Sequence, residues 1–257
     1  MANDFRDLAG GEFERADMSG TRFSGVSLNG ATIVYSALHR VVMRGVEIVD
    51  TTIDGEIHHL VINGVDVAPL VEAELDRRHP DRSKFRPATA DGFREAWDLN
   101  ERLWAATVDR ARGLRPELLH ESVDGEWSFV QTLRHLAFAD QSWVGRCILG
   151  NPTPWHPLSL PWDQMDRREG VPWDRDARPS LDVALALRHD AMALVRRVVD
   201  TLTDEQLGER TAPLVGPGWP DEGETFPVRE CLSVVLNEEW HHRLYAERDL
   251  SVLEGGA

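Results

Sequence analysis

The sequence predicts a two-part chain: a short segment that turns at regular intervals, followed by a larger helical bundle. Three observations lead there. Apolar residues recur every five positions over residues 13–53, a charged and proline-punctuated stretch follows, and beyond it lie four long segments with helical spacing. With 257 residues, 42% of them hydrophobic, the chain is long enough to bury a core and to form one or two domains.

The first segment has the clearest pattern. Stepping by five from Phe13 reaches Met18, Phe23, Leu28, Ile33, Leu38, Met43, Ile48 and Ile53, all large and apolar. Two residues before each stands a small or β-branched residue, from Gly11 and Ala16 through Val46 and Thr51. Two residues after, glycine recurs at Gly20, Gly25, Gly30, Gly45 and Gly55. A period of five fits neither a helix nor a strand, but it fits a chain that turns a corner every five residues. The pattern resembles the pentapeptide-repeat family, and the resemblance implies a short right-handed quadrilateral β-helix over residues 1–70. At four units per coil the run makes only about two coils. The phase loosens after Ile53, through Ile57, Ile62 and Val67. Two coils are too short to imitate a nucleic acid duplex, and the segment carries Arg15, Arg22, Arg40 and Arg44. Its expected role is therefore a structural cap or a self-association piece, since a solenoid this short needs its open ends covered.

Residues 71–87 read as a short helix and linker, with the helical pattern breaking at Pro80. The first long helix is expected over about 91–112, with Phe93, Trp97, Leu103 or Trp104, and Val108 on one stripe. A second should start at Ser128 as N-cap and run through Leu133, Leu136, Ala137, Trp143 and Val144 to about Leu149. A loop rich in proline and tryptophan covers Asn151–Trp173. The third helix is expected over about 180–202, capped by Ser180, with Leu185, Ala186, His189, Met192 and Val195 inward. The fourth follows a Gly/Pro-rich loop and covers about 227–253. Four such helices over residues 88–257 predict a four-helix bundle with long crossovers.

Charge and composition exclude several roles. A net charge of -16 argues against a sequence-independent grip on nucleic acid and against a polybasic membrane surface mode. No apolar run approaches the ~18–20 residues of a membrane span. Met1–Gly11 lacks the basic and apolar regions of a signal peptide. Cys147 and Cys231 are far apart and not in a CxxC arrangement, so neither a disulfide framework nor a cysteine zinc site is indicated. A reduced, cytoplasmic setting and a small-molecule partner are the expectation, and a homodimer is left open.

The densest metal-competent group is Asn237-Glu238-Glu239-Trp240-His241-His242 in the last helix. Residues four apart share a helix face, so Glu238 with His242, or Asn237 with His241, could present two ligands together; Glu239 with His242 is a third pairing. Bundle-core metal sites combine such a pair with a donor from another helix, and His135 in the second helix is the obvious one.

Two stretches resemble the DinB/YfiT-like superfamily. The run Gly125-Glu126-Trp127-Ser128 through Thr132-Leu133-Arg134-His135-Leu136 looks like that superfamily's second helix, where a Trp-Ser start precedes the first metal-binding histidine. Asn237 to Arg243 resembles its last-helix motif, two histidines four apart followed by an arginine. The resemblance implies a DinB-like four-helix bundle and the ligand set His135, Glu238 and His242, with His241 and Glu239 as alternatives. Glu238 stands where the superfamily usually has histidine, although a His₂Glu set can hold Zn²⁺. It also implies a divalent-metal cofactor, Zn or Ni, Fe or Mn. The implied activity is a thiol S-transferase or isomerase using mycothiol or another low-molecular-weight thiol. No catalytic residue is assigned. Trp155, His156 and Trp162 are candidates for lining the pocket, and Asp140 reads as a solvated position or an outer support of the site. The competing reading is a non-catalytic binding or scaffold protein with a degenerate site and a self-association segment.

Overall fold

The computed structural model describes residues 8–34 and 36–255. The leader reading falls largely on residues 1–7, which lie outside the described residues. The chain divides into two compact units, Met1–Ile53 and Asp54–Ala257.

In the first unit the five-residue period is expressed as turns. Gly10, Arg15, Gly20, Gly25, Gly30, Arg40, Gly45 and Asp50 all have positive φ, so a left-handed residue recurs at the predicted spacing. Local turn bonds close from Gly11 N–H to the Leu8 carbonyl, from Thr21 to Met18 and from Ala31 to Leu28. The β-helix expected there is not formed. Among the described residues the one sheet is a two-stranded hairpin, which lies beyond the first unit. The apolar column from Phe13 to Ile53 stays 41–65% exposed instead of filling an interior. The physical reason is length: a solenoid coil buries its inward side chains against neighbouring coils, and about two coils give too little stack to close a core.

The second unit opens with that hairpin, β1 (Val61–Ile62) and β2 (Val65–Asp66), antiparallel with Ile62 opposite Val65. Asn63 and Gly64, both at positive φ, supply the two-residue turn such hairpins favour. Helix α1 (Ala68–Arg78) follows, and a 3₁₀ turn over Arg82–Phe85. The stretch 71–87, expected as a short helix and linker, carries most of α1 and the 3₁₀ turn and is folded into this unit. The ring of Phe85 is 5% exposed and lies 4.9 Å from that of Trp240, while Arg82 and Arg86 bind Glu72 and Asp76.

The bundle consists of α2 (Ala90–Ala111), α3 (Phe129–Asp140), α4 (Leu181–Thr201) and α6 (Val228–Gly255), with the short α5 (Asp204–Leu207) between the last two. Each start has a local cause. Thr89, Ser128, Ser180 and Thr203 accept the backbone N–H three residues on, and Gln131 and Gln206 complete reciprocal capping boxes. Helix α3 continues as a π-helix over Gln141–Ile148. One half of the core joins Phe93, Ala96 and Trp97 to Val195, Val199, Leu236 and Trp240. The other joins Trp104 to Leu133, Leu136, Ala246 and Leu250. On α2, Trp104 and not Leu103 takes the buried stripe.

Of the stripe predicted for α4, Val195 is buried and Leu185 and Met192 pack at the edge of the core, while His189 is not inward. Ala184, Leu187, Arg188, Ala191 and Val195 face inward, whereas His189 is exposed with a side chain 85% accessible. The long loops are tied down by two buried arginines. Arg134 donates to the carbonyls of Leu158, Ala177 and Asp174, and Arg146 to those of Pro152, Val215, Gly216 and Pro220. Gly218 shows how closely these loops approach, since a Cβ there would lie 2.4 Å from the Trp155 ring.

Candidate metal centre

Helices α3 and α6 pack side by side, which brings together one residue from the first and two from the second. His135, Glu238 and His242 each offer a donor atom, and these atoms all lie within 4.8 Å of one another. Glu238 Oε2 is 3.1 Å from His242 Nε2 and 3.4 Å from His135 Nε2. The helical repeat explains the first distance, because residues four apart stand one above the other. Packing explains the second.

The proton on His135 is set by the backbone. Its Nδ1 lies 3.0 Å from the Leu160 carbonyl oxygen, which can only accept, so Nδ1 carries the hydrogen. Burial lowers the pKa of this imidazole and keeps it neutral. Its Nε2 therefore presents a lone pair towards the Glu238 carboxylate. Burial alone would raise the Glu238 carboxyl, and a proton or positive charge shared with the facing imidazole nitrogens lowers it below the usual carboxylate range. Three donor atoms converging on one point can share a proton or hold a cation between them. Donors about 2.0–2.1 Å from a tetrahedral ion lie about 3.3 Å apart, and two edges of this group are near that value. The histidine-to-carbonyl bond is also the outer support that metal-ligating histidines ordinarily have. The residues present thus fit a divalent ion.

Access is one-sided. The His135 side chain is 8% exposed, against 19% for His242 and 32% for Glu238. The indole of Trp127 lies over both imidazoles, with ring centroids 4.3 Å from His135 and 5.7 Å from His242, nearly parallel to the latter. The ring of Tyr245 stands edge-on to His242 at 6.0 Å.

The two alternative ligands lie outside this group. Glu239 is fully buried and paired with Arg188, and His241 points towards Tyr245. Asp140 is not solvated: it is buried and binds the other side of the Arg188 guanidinium. The three charged groups form a cluster linking α3, α4 and α6. Burial and the nearby Glu239 push the Asp140 carboxyl up to about 8, with Arg188 opposing.

Of the residues expected to line a pocket, Trp155 and Trp162 pack on Phe138 in an aromatic cluster with Met165 and Trp219. That cluster approaches the site through the Phe138 ring, 6.5 Å from His135. His156 is exposed, its Nδ1 accepting from Leu158 N–H. Sequence reasoning missed Leu160 and the Arg188 cluster. Arg188 did leave a signal, an arginine in register with Ala184, Ala191 and Val195 on a stripe of small and apolar residues.

Fold and site together define a helical bundle with a candidate divalent-metal centre between two facing helices. A family comparison agrees: the DinB superfamily description (DinB_2) matches residues 99–246, from within α2 to within α6. The chain belongs to the DinB superfamily. The match spans His135, Glu238 and His242 and leaves the turning segment outside, so nothing there supports a pentapeptide-repeat assignment. No curated protein and no solved structure matches the chain.

Proposed function

We propose that this protein is a divalent-metal-dependent enzyme acting on a small organic substrate, with a low-molecular-weight thiol such as mycothiol as co-substrate, in an S-transfer or isomerisation reaction. His135, Glu238 and His242 would hold the ion. The observation that carries the reading is the convergence of three donor atoms, one of them fixed in tautomer by the Leu160 carbonyl. Three protein ligands leave a coordination position open, where a divalent ion lowers the pKa of a thiol or a water. The chain's own part is to keep His135 neutral, to hold Glu238 ionised and to leave access on the Glu238 and His242 side. The thiol rests on superfamily resemblance.

Metal analysis of protein purified without chelator tests this. About one divalent ion per chain is expected, with loss in His135→Ala and His242→Ala. A wild-type protein that takes up no metal on addition of Zn²⁺, Ni²⁺, Fe²⁺ or Mn²⁺ refutes it. Metal-dependent conjugation of a thiol to an electrophile would then separate enzyme from carrier.

One observation favours a second reading, a scaffold that self-associates through its first unit. The apolar column from Phe13 to Ile53 is exposed along its whole length, and such surfaces mark contact sites. Sedimentation of the full chain beside a variant with Phe23, Leu28 and Ile33 changed to serine would test it, a shift to smaller species being expected.

A further inference from the structure

The indole of Trp127 is held over the candidate ligands by a contact outside its own helix. It directly precedes the N-cap Ser128, so its backbone belongs to the loop and not to α3. Its Nε1–H donates to Asp163 Oδ2 at 2.8 Å. Asp163 is in turn fixed by Arg175, whose guanidinium donates to Asp163 Oδ1 at 2.8 Å and to the Trp162 carbonyl, and lies over the Trp173 ring at 4.3 Å. The same loop supplies the Leu160 carbonyl that holds His135 from behind. One short stretch, residues 160–163, therefore grips both the back of the buried imidazole and the indole lying across its face.

The grip on the indole is the weaker of the two. The Leu160 bond is buried, whereas Asp163 is 47% exposed, and a single solvent-facing hydrogen bond is readily exchanged for water. Trp127 itself is only partly buried and follows a turn in which Asp124 and Gly125 both have positive φ. We propose that Trp127 is a positioning residue for His135 and His242, a wall of the centre latched by Asp163 whose release opens the site to incoming and departing ligands. Latched, the indole fixes the planes of both imidazoles. Unlatched, it frees the flank of His242. This rests on the metal reading given above.

Cobalt(II) serves as probe for metal retention, read as the rate at which excess EDTA strips it from the full-length protein, with the visible absorption of bound cobalt reporting ligand geometry. Trp127→Ala should lose cobalt at least tenfold faster than wild type and alter its spectrum. Trp127→Phe keeps a stacking ring but no N–H, and Asp163→Ala removes the acceptor. Each should speed release severalfold with the wild-type spectrum retained, and the double variant should be no faster than Asp163→Ala alone, since both remove the bond between the indole and Asp163. Multiplying effects in the double variant, or rates within twofold of wild type throughout, overturn the latch while leaving the metal reading in place. A wild-type protein that binds no cobalt defeats both. Should Trp127→Ala fail to fold, the Phe and Asp163 variants still decide.

Discussion

Arg188 of α4 sets its guanidinium against the carboxylate of Glu239 on α6, the residue next to the candidate ligand Glu238. Its other edge meets Asp140 on α3, one and a half turns beyond His135. All three side chains are buried, and Asp140 Oδ1, Glu239 Oε2 and Arg188 Nε have no hydrogen-bond partner. Such a cluster is a poor source of net stability but a costly one to break.

Arg188→Met should therefore destabilise the protein by about 3–5 kcal/mol, because the buried Glu239 carboxylate loses its counter-charge and the Asp140 carboxyl its hydrogen-bond partner. Denaturant unfolding of the apo-protein measures this. A loss under about 1 kcal/mol would show that the cluster relaxes to water.

Asp140 gives the cluster a pH dependence. Its carboxyl is raised to about 8 in the fold from an ordinary 3.8, so between those values the folded chain holds a proton that the unfolded chain has released. Its contribution to stability is full below the unfolded value and is lost as pH rises through about 8, by at most about 1.4 kcal/mol per pH unit. Unfolding free energies at pH 5.5 and pH 8.5 should fall more steeply for wild type than for Asp140→Asn. Parallel slopes would place the titration elsewhere.

Ser128 caps α3 from a buried position, its Oγ accepting Gln131 N–H while Gln131 Oε1 accepts Ser128 N–H. Ser128→Ala should cost about 1 kcal/mol, and Ser128→Thr much less. Thermal unfolding of the two variants side by side checks the ranking.

Glu238→Gln keeps the shape of the site but removes its one carboxylate. Competition with a chromophoric chelator should show metal affinity reduced by more than ~100-fold, beyond what the loss of an outer support costs. Equal affinity would redraw the ligand set.

Cys147 and Cys231 meet inside one apolar cluster, and contact with the Cys231 thiol, followed by burial, raises Cys147 far above the ordinary thiol range. Neither should react with an aromatic disulfide reagent in the native state, and both should react after denaturation. Fast labelling of the native protein would contradict this burial.

What the sequence disclosed was mainly local. Ser128 and Ser180 announced helix starts because a cap acts over three residues, and the helical repeat offered Glu238 with His242 as one of three pairings, among which the superfamily resemblance chose. The turning period was legible for the same reason, since each left-handed residue is a local event. Whether those turns would stack was not, because closure depends on how many coils exist to cover one another. His135 could be named as a donor, but its Leu160 partner lies 25 residues away in a loop without periodicity. Arg188 was hidden by its chemistry: a charged residue reads as surface, and only the carboxylates of two other helices make its burial tolerable. The inward place expected for His189, which is turned outward, follows from that misreading.

The bond from His135 to the Leu160 carbonyl has a consequence for how this centre can change over evolutionary time. A backbone oxygen is supplied by any amino acid, so drift at position 160 leaves the acceptor in place as long as the path of the chain is kept. Insertions and deletions are another matter. Adding or removing a residue between Gly150 and Ser180 moves the carbonyl away from the ring, so tolerance of this loop should depend on its length far more than on its spelling.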